Sequence, residues 1–246
     1  MFPKPSPKLS PNTYAYESQP MVKPTGFREY DARWLFEKEI NLMGVQALGL
    51  GLARLLRELG VRREVVVGHD FRSYSGSIKL ALTAGLMAGG AKVRDIGLAI
   101  TPMAYFAQFA LDTPAVAMVT ASHNDNGWTG VKMGAARPVT FGPEEMGRLR
   151  DIVIGGDYGP EPGGTYEFVP GFPARYIRPD ESSQVPPPDE GRRRVRQRHG
   201  RRFRSPSFSA RSGSRSSRST ATSTSPSRTT TRTLKISTCC TRWRTR

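Results

Sequence analysis

Between Leu35 and Thr120 the chain alternates two kinds of segment, and that alternation limits the possible folds more than any other feature. Leu35, Ile40, Leu42, Val45, Leu48, Leu52, Leu55, Leu56 and Leu59 recur at mostly three- and four-residue intervals and stop at Gly60. This spacing predicts an amphipathic helix closed by a glycine. Glu64–Asp70 follows as a short β-branched run of the kind buried in a parallel sheet. Ile78–Met87 reads as a second helix closed by Gly89 and Gly90, Lys92–Gly97 as a second strand, Pro102–Leu111 as a third helix and Ala115–Thr120 as a third strand. Strand, helix, strand, helix, strand implies right-handed crossovers. The expectation is an α/β fold: a three-layer αβα domain with a mostly parallel sheet. In such sheets ligands bind beyond the carboxyl ends of the strands, which draws attention to the polar loop Ala121–Gly127.

Composition divides the chain into three. Residues 1–25 are rich in Pro and Ser, without periodicity, and read as a flexible leader. Residues 26–177 carry the helix and strand patterns and the start of a linker. Residues 178–246 hold 18 of the 37 Lys and Arg but 4 of the 21 acidic residues, so 14 of the 16 net positive charges belong to this tail. From Arg192 to Arg246, 10 of 55 residues are hydrophobic, too few to offset the entropy of ordering, and the expectation is a disordered basic tail. No run approaches the ~18 apolar residues of a membrane span, and the start lacks the apolar core of a secretory signal. The two cysteines, Cys239 and Cys240, are adjacent and form neither a disulfide framework nor a zinc pattern. A cytoplasmic, reducing compartment is the expectation.

Val119–Gly134 is the segment richest in chemistry. Ala121, Gly127 and Gly130 suit a tight turn presenting the Ser122 hydroxyl, a candidate nucleophile. His123 beside it can donate a hydrogen bond or move a proton, and Lys132 supplies a positive charge for phosphate oxygens. The set suits phosphoryl transfer better than acyl transfer, because the cation would stabilise a phosphorylated serine. As spacing alone, a Ser-His pair in a polar loop is far more often structural or incidental than catalytic. His69 has no second His or Cys at ligand spacing and reads as a structural histidine. Asp70 and Arg72 read as a local pair. Gly44, Gly49 and Gly51 lie inside a helical pattern and suggest close helix packing, and no glycine-rich nucleotide loop follows Gly68.

Two motifs sharpen this reading. The string T-A-S-H-N followed by G-x-x-G-x-K, with F-R-E-Y-D-A-R upstream, resembles the α-D-phosphohexomutases, in particular their bacterial phosphomannomutase/phosphoglucomutase branch, over about residues 26–177. The resemblance implies an isomerase that moves a phosphoryl group between the 1- and 6-positions of hexose phosphates through a phosphoserine. It implies that Ser122 carries the phosphoryl group and through it contacts Mg²⁺, that His123 is a neighbouring acid/base or hydrogen-bonding group, and that Lys132 is the supporting cation. Tyr30 and Arg33 correspond to the family's N-terminal loop lining the same cleft. Many members have Ile-Arg-Gly where this chain has Ala32-Arg33-Trp34.

The resemblance also implies four domains, of which one is recognisable, so the chain is expected to be a truncated fragment and a poor mutase or none. The alternative is a nucleic-acid-binding module in which the basic tail contacts phosphates nonspecifically and the α/β domain is a scaffold. Against it, the tail has few aromatics for stacking, Phe203, Phe208 and Trp243. Codon degeneracy offers another account of the tail. Read one base later, Arg192–Ser205 permits V-V-V-C-G-N-G-T-A-G-A-F-A-P; read one base earlier, Arg215–Ile236 permits E-V-V-P-L-D-C-D-L-D-F-T-F-P-H-Y-N-P-N-P-E-D. Both resemble consecutive stretches of the family's second domain. We therefore expect the coding DNA to carry one frame change near Arg178 and a second between about Ser205 and Arg215; sequencing that finds neither alternative frame there would contradict this.

Overall fold

The hydrophobic alternation of the strands sets the layering. In the computed structural model, which describes residues 3–178, Val65 and Val67 of one strand join one apolar cluster while Val66 between them joins another. Period-two side chains point to opposite faces, so a strand apolar on both faces must be covered on both. The strands are β1 (Ala32–Leu35), β2 (Glu64–His69), β3 (Lys92–Leu98), β4 (Ala115–Val119), β5 (Trp128–Gly134) and β6 (Thr165–Phe168). The helices are α1 (Tyr14–Ser18), α2 (Leu42–Glu58), α3 (Ser75–Ala88), α4 (Thr101–Ala110), α5 (Pro143–Gly155) and α6 (Phe172–Ile177). Residues of α2, α3 and α5 cover one face of the sheet, and residues of α4 with Phe172 of α6 cover the other. This is the expected three-layer α/β domain.

The sheet order is β1-β5-β4-β2-β3-β6. β4, β2, β3 and β6 run parallel, while β5 is antiparallel to both β4 and β1. The sheet is therefore mixed and mostly parallel. Instead of another crossover helix, a tight reversal joins β4 to β5, with Thr120 N donating to Gly130 O at 2.9 Å. Trp128–Gly134, taken with the loop in the sequence, is thus a strand, and Gly130 is no turn residue. A Cβ there would lie 2.2 Å from Ala32 O, so this glycine lets β1 approach β5.

The first expected helix is shorter than its pattern. Leu35 ends β1 and Ile40 is buried in the connection, while α2 begins at Leu42. Asn41 caps α2 by accepting from Gly44 N at 2.8 Å. The same side chain accepts from Met21 N and donates to the carbonyls of Tyr16 and Gln19, each at 2.9 Å. The end of the leader is therefore tied to α2, and Met21 and Val22 are buried in the core. Over its described residues, 3–25, the leader belongs to the fold instead of forming a mobile arm. The expected disordered tail lies outside the described residues.

The α2 glycines serve packing, as their helical context suggests. A Cβ on Gly49 would meet Leu82 O at 2.4 Å, and one on Gly85 of α3 would meet Gln46 O at 2.0 Å. The two backbones touch, and neither atom is a flexible side-chain end. Gly76, also in α3, has nothing within 4 Å of a Cβ position. Gly85→Ala should lower unfolding free energy by about 1–3 kcal/mol. Gly76→Ala should leave it unchanged or raise it by up to about 1 kcal/mol. Urea denaturation of the two variants checks the contrast.

Candidate functional site

Ser122 stands just beyond the carboxyl end of β4. The strand from Ala115 to Val119 is wholly buried, as is Ala121, whereas Ser122 and His123 are exposed. The change from core to solvent takes place over Thr120–Ser122. Ser122 N donates to Thr120 Oγ1 at 2.9 Å, and Ser122 has φ 56°, in the left-handed region that serine seldom occupies. A conformation of this kind persists only where its surroundings hold it.

Arg33 supplies much of that hold. It is buried, at 7% exposure, on edge strand β1. Because Ala32 and Trp34 join the core cluster on one face, Arg33 faces the other. Its Nη1 donates to Ala121 O at 2.7 Å and to Asn124 Oδ1, bracketing Ser122 along the chain. Its Nε and Nη2 donate to Asp31 Oδ2 at 3.0 and 2.8 Å. Lys132 Nζ lies 3.7 Å from the same oxygen, so Asp31 ties the two cations together. Lys132 is opposite Met118 in the β4–β5 register, and Met118 belongs to the cluster on the α4 face.

A second set of contacts comes from the connection between β2 and α3. Arg72 pairs with Asp70, and its Nη2 donates to Asn124 O at 2.7 Å and Ser122 O at 3.3 Å. Asp70 also accepts from Ser75 Oγ at 2.6 Å and Arg72 N at 3.2 Å. Burial pushes the Asp70 carboxyl upward, but hydrogen bonds from Ser75, Arg72 and Thr120, with the Arg72 charge, outweigh it and hold the group below the usual carboxylate range. Tyr74 Oη accepts from Gly127 N at 2.8 Å and donates to Trp128 O at 2.9 Å.

The residues singled out in the sequence are thus partly assembled. Ser122 and His123 adjoin, with 3.4 Å between Oγ and Nδ1, a long contact for a proton transfer in this state. Arg33 reaches the loop directly, and Lys132 reaches Arg33's partner. Tyr30 stands 58% exposed in the turn before β1. His69 has Nδ1 2.8 Å from Asp70 O, in keeping with a structural role. Sequence reasoning missed the loop contacts of Arg72 and Tyr74 and the bridge that Asp31 makes between Arg33 and Lys132. Only Asp31 left a signal, as a carboxylate two residues before Arg33.

Ser122 and His123 border a groove of about 700 Å³ along the carboxyl ends of the strands, whose walls include Arg72, Leu98, Ile100 and Met118. Among the described residues no group of three His, Cys, Asp or Glu side chains is placed to hold a metal ion, and no helix is long and apolar enough to cross a membrane.

An α/β/α domain that presents one exposed serine among fixed guanidinium and ammonium groups is suited to carrying a phosphoryl group. Residues 24–158, more than half of the chain, match the phosphoglucomutase/phosphomannomutase alpha/beta/alpha domain I, and the chain belongs to that family. It is 34% identical over 142 residues to a phosphomannomutase of Salmonella typhimurium, covering 57% of this chain and 30% of that protein. It is 39% identical over 116 residues to a Xanthomonas campestris protein named for phosphohexose mutases, covering 46% and 25%. A crystal structure of a phosphoglucomutase/phosphomannomutase family protein from Burkholderia thailandensis superposes with a TM-score of 0.55 at 28% identity, covering 60% of this chain and 33% of that one. The matching part spans about a quarter to a third of these relatives' length.

The depressed Asp70 carboxyl gives a pH signature. Its unfolded value is about 3.9, so its stabilising contribution is complete above that pH and is lost as pH falls through the lower folded value. Asp70→Asn should be less stable than the unmodified chain at pH 7, with the gap closing below about pH 4. Denaturation midpoints across this range check it; a gap independent of pH would contradict it.

Proposed function

We propose that this domain supplies the phosphoryl-carrying serine of a hexose-phosphate mutase of the phosphomannomutase/phosphoglucomutase kind. The observation that carries the reading is the left-handed, solvent-exposed Ser122 bracketed by Arg33 contacts to Ala121 O and Asn124 Oδ1. In the proposed step Ser122 Oγ attacks a phosphorus of a hexose bisphosphate. The Oγ–P bond forms as the P–O bond to the sugar breaks, and the serine proton passes to His123 or solvent while the sugar oxygen is protonated. The reverse step returns the phosphoryl group to the other end of a hexose monophosphate. Lys132 and Arg33 contribute positive charge near the phosphorylated side chain, and Tyr30 is the proposed sugar-facing residue of the loop before β1.

Mg²⁺ enters this reading only through the phosphate on Ser122. Among the described residues no group of three His, Cys, Asp or Glu side chains is placed to hold it, and no step is routed through it. Because the matching part spans under a third of the mutases it resembles, the proposal gives this domain the serine chemistry and not the whole cycle, and takes the chain alone as a poor mutase. A cytoplasmic setting, where hexose phosphates occur, belongs to the same proposal. The nucleic-acid alternative rests on residues 178–246, of which 179–246 lie outside the described residues.

The chain purified from cells containing hexose bisphosphates should carry phosphate on Ser122 at low occupancy, found by peptide mass spectrometry and absent from Ser122→Ala. Phosphate confined to the serines after residue 178, equally abundant in the variant, would contradict the proposal.

A further inference from the structure

The connection from β2 to α3 reaches the serine loop at Ser122, Asn124, Asn126 and Gly127, and neither the nucleophile nor the supporting cations account for these contacts. Arg72 Nη2 donates to the carbonyls of Ser122 and Asn124, at 3.3 and 2.7 Å. Arg72 is itself fixed by Asp70, which is held by Ser75 Oγ and by its own backbone N–H donating to Val119 O at 3.0 Å. Further along the loop Gly127 is gripped on both sides: its N–H donates to Tyr74 Oη at 2.8 Å, and its carbonyl accepts from Phe36 N at 2.9 Å. Tyr74 stacks on Phe36, with ring centroids 5.4 Å apart and planes 20° apart, so the phenol has a fixed platform.

From these contacts we infer that Arg72 and Tyr74 are positioning residues that hold Ser122 in its left-handed conformation with its hydroxyl toward the groove. The physical reason is the competition at the loop. With φ at 56°, Ser122 relaxes toward the extended region unless its own carbonyl and those that follow are anchored. The planar guanidinium keeps Asp70 on Nη1 while Nη2 donates to both carbonyls, so the fork ties the loop to Asp70 at a fixed separation, which a lysine ammonium has no second arm to do. Arg33 anchors the loop at Ala121, before the serine, whereas Arg72 anchors Ser122 itself and Asn124. Tyr74 fixes the exit into β5 through Gly127 and Trp128. The role in phosphoryl transfer rests on the function proposed above; the conformational part does not.

The full chain, with Tyr74→Phe, Arg72→Gln and Arg72→Lys variants, tests this by two readouts. Amide NMR gives the Ser122 HN–Hα coupling, which reports φ, and the Gly127 exchange rate. Loss of its acceptor in Tyr74→Phe should speed Gly127 exchange about tenfold, with core amides such as Val66 and Val116 unchanged. In Arg72→Gln the melting temperature should fall, because Asp70 loses its ion-pair partner, and in both Arg72 variants the Ser122 coupling, read well below the thermal transition, should move toward an extended value. Ser122 coupling and Gly127 exchange unaltered in all three variants would overturn the inference. So would local changes that appear only within the thermal transition and not in the folded state below it, since that marks a general structural role. The second readout is phosphate on Ser122 after incubation with a hexose 1,6-bisphosphate. Its absence from the unmodified chain counts against the proposed function, while the coupling and exchange still decide the positioning. If the unmodified chain is phosphorylated, initial rates should fall at least about tenfold in Arg72→Gln, without rescue in Arg72→Lys; full rates in both would overturn the role in catalysis.

Discussion

One buried guanidinium joins the two parts of the sequence on which the site depends. Arg33 lies 88 residues from Ala121, on the edge strand at the far side of β5, yet it donates to the Ala121 carbonyl at 2.7 Å and to the Asn124 side chain. This contact exists only because β1 pairs antiparallel with β5, and that pairing is close enough only because position 130 is glycine. Asp31 makes the buried charge tolerable by accepting two of Arg33's hydrogen bonds, and it draws Lys132 toward the same cluster. A buried cation without such a partner would carry a large desolvation penalty. The edge of the sheet, the loop and the basic cluster are therefore one unit.

The layers beneath make that unit stiff. Backbone contact between α2 and α3 through Gly49 and Gly85 lets α3 lie against the sheet with its first turn next to the loop. Ser75 at the start of α3 then reaches Asp70, and Asp70 orients Arg72 toward the Ser122 and Asn124 carbonyls. The core thus acts on the site through a short chain of hydrogen bonds. On the opposite face of the sheet α4 and Phe172 complete the second cluster, leaving the groove open beside Ser122 and His123.

What was legible in the sequence follows from what each segment buries. β2, β3 and β4 with α2, α3 and α4 announce themselves because their own apolar residues supply the pattern. β1 and β5 do not. Ala32-Arg33-Trp34-Leu35 is short and carries the buried arginine, and Leu35 with Ile40 happens to continue the spacing of the helix that follows. Trp128–Gly134 contains two glycines and a lysine, which locally read as a turn, and becomes a strand through pairing on both sides. The leader carries no periodicity because its order comes from scattered single contacts, among them three hydrogen bonds of Asn41 to Tyr16, Gln19 and Met21 and one from Trp34 to Lys23 O. Ser122, His123 and Lys132 could be picked out as a set because they lie within eleven residues of one another. The contacts of Arg33, Arg72 and Tyr74 with the loop cross about 50 to 90 residues, and nothing in local composition signals them.

The central claim is that this cluster is built to hold a phosphate on Ser122. The most direct measurement places phosphoserine at position 122 by synthesis and follows its ³¹P resonance against pH. A phosphoserine in a solvated peptide loses its second proton at a pKa of about 6. With the cations of Arg33, Arg72 and Lys132 around the loop, the dianion should be favoured and the titration should fall below that value, returning toward it in Lys132→Met. A phosphate that titrates as in the free peptide, unchanged by Lys132→Met, would show that the cluster serves the fold alone.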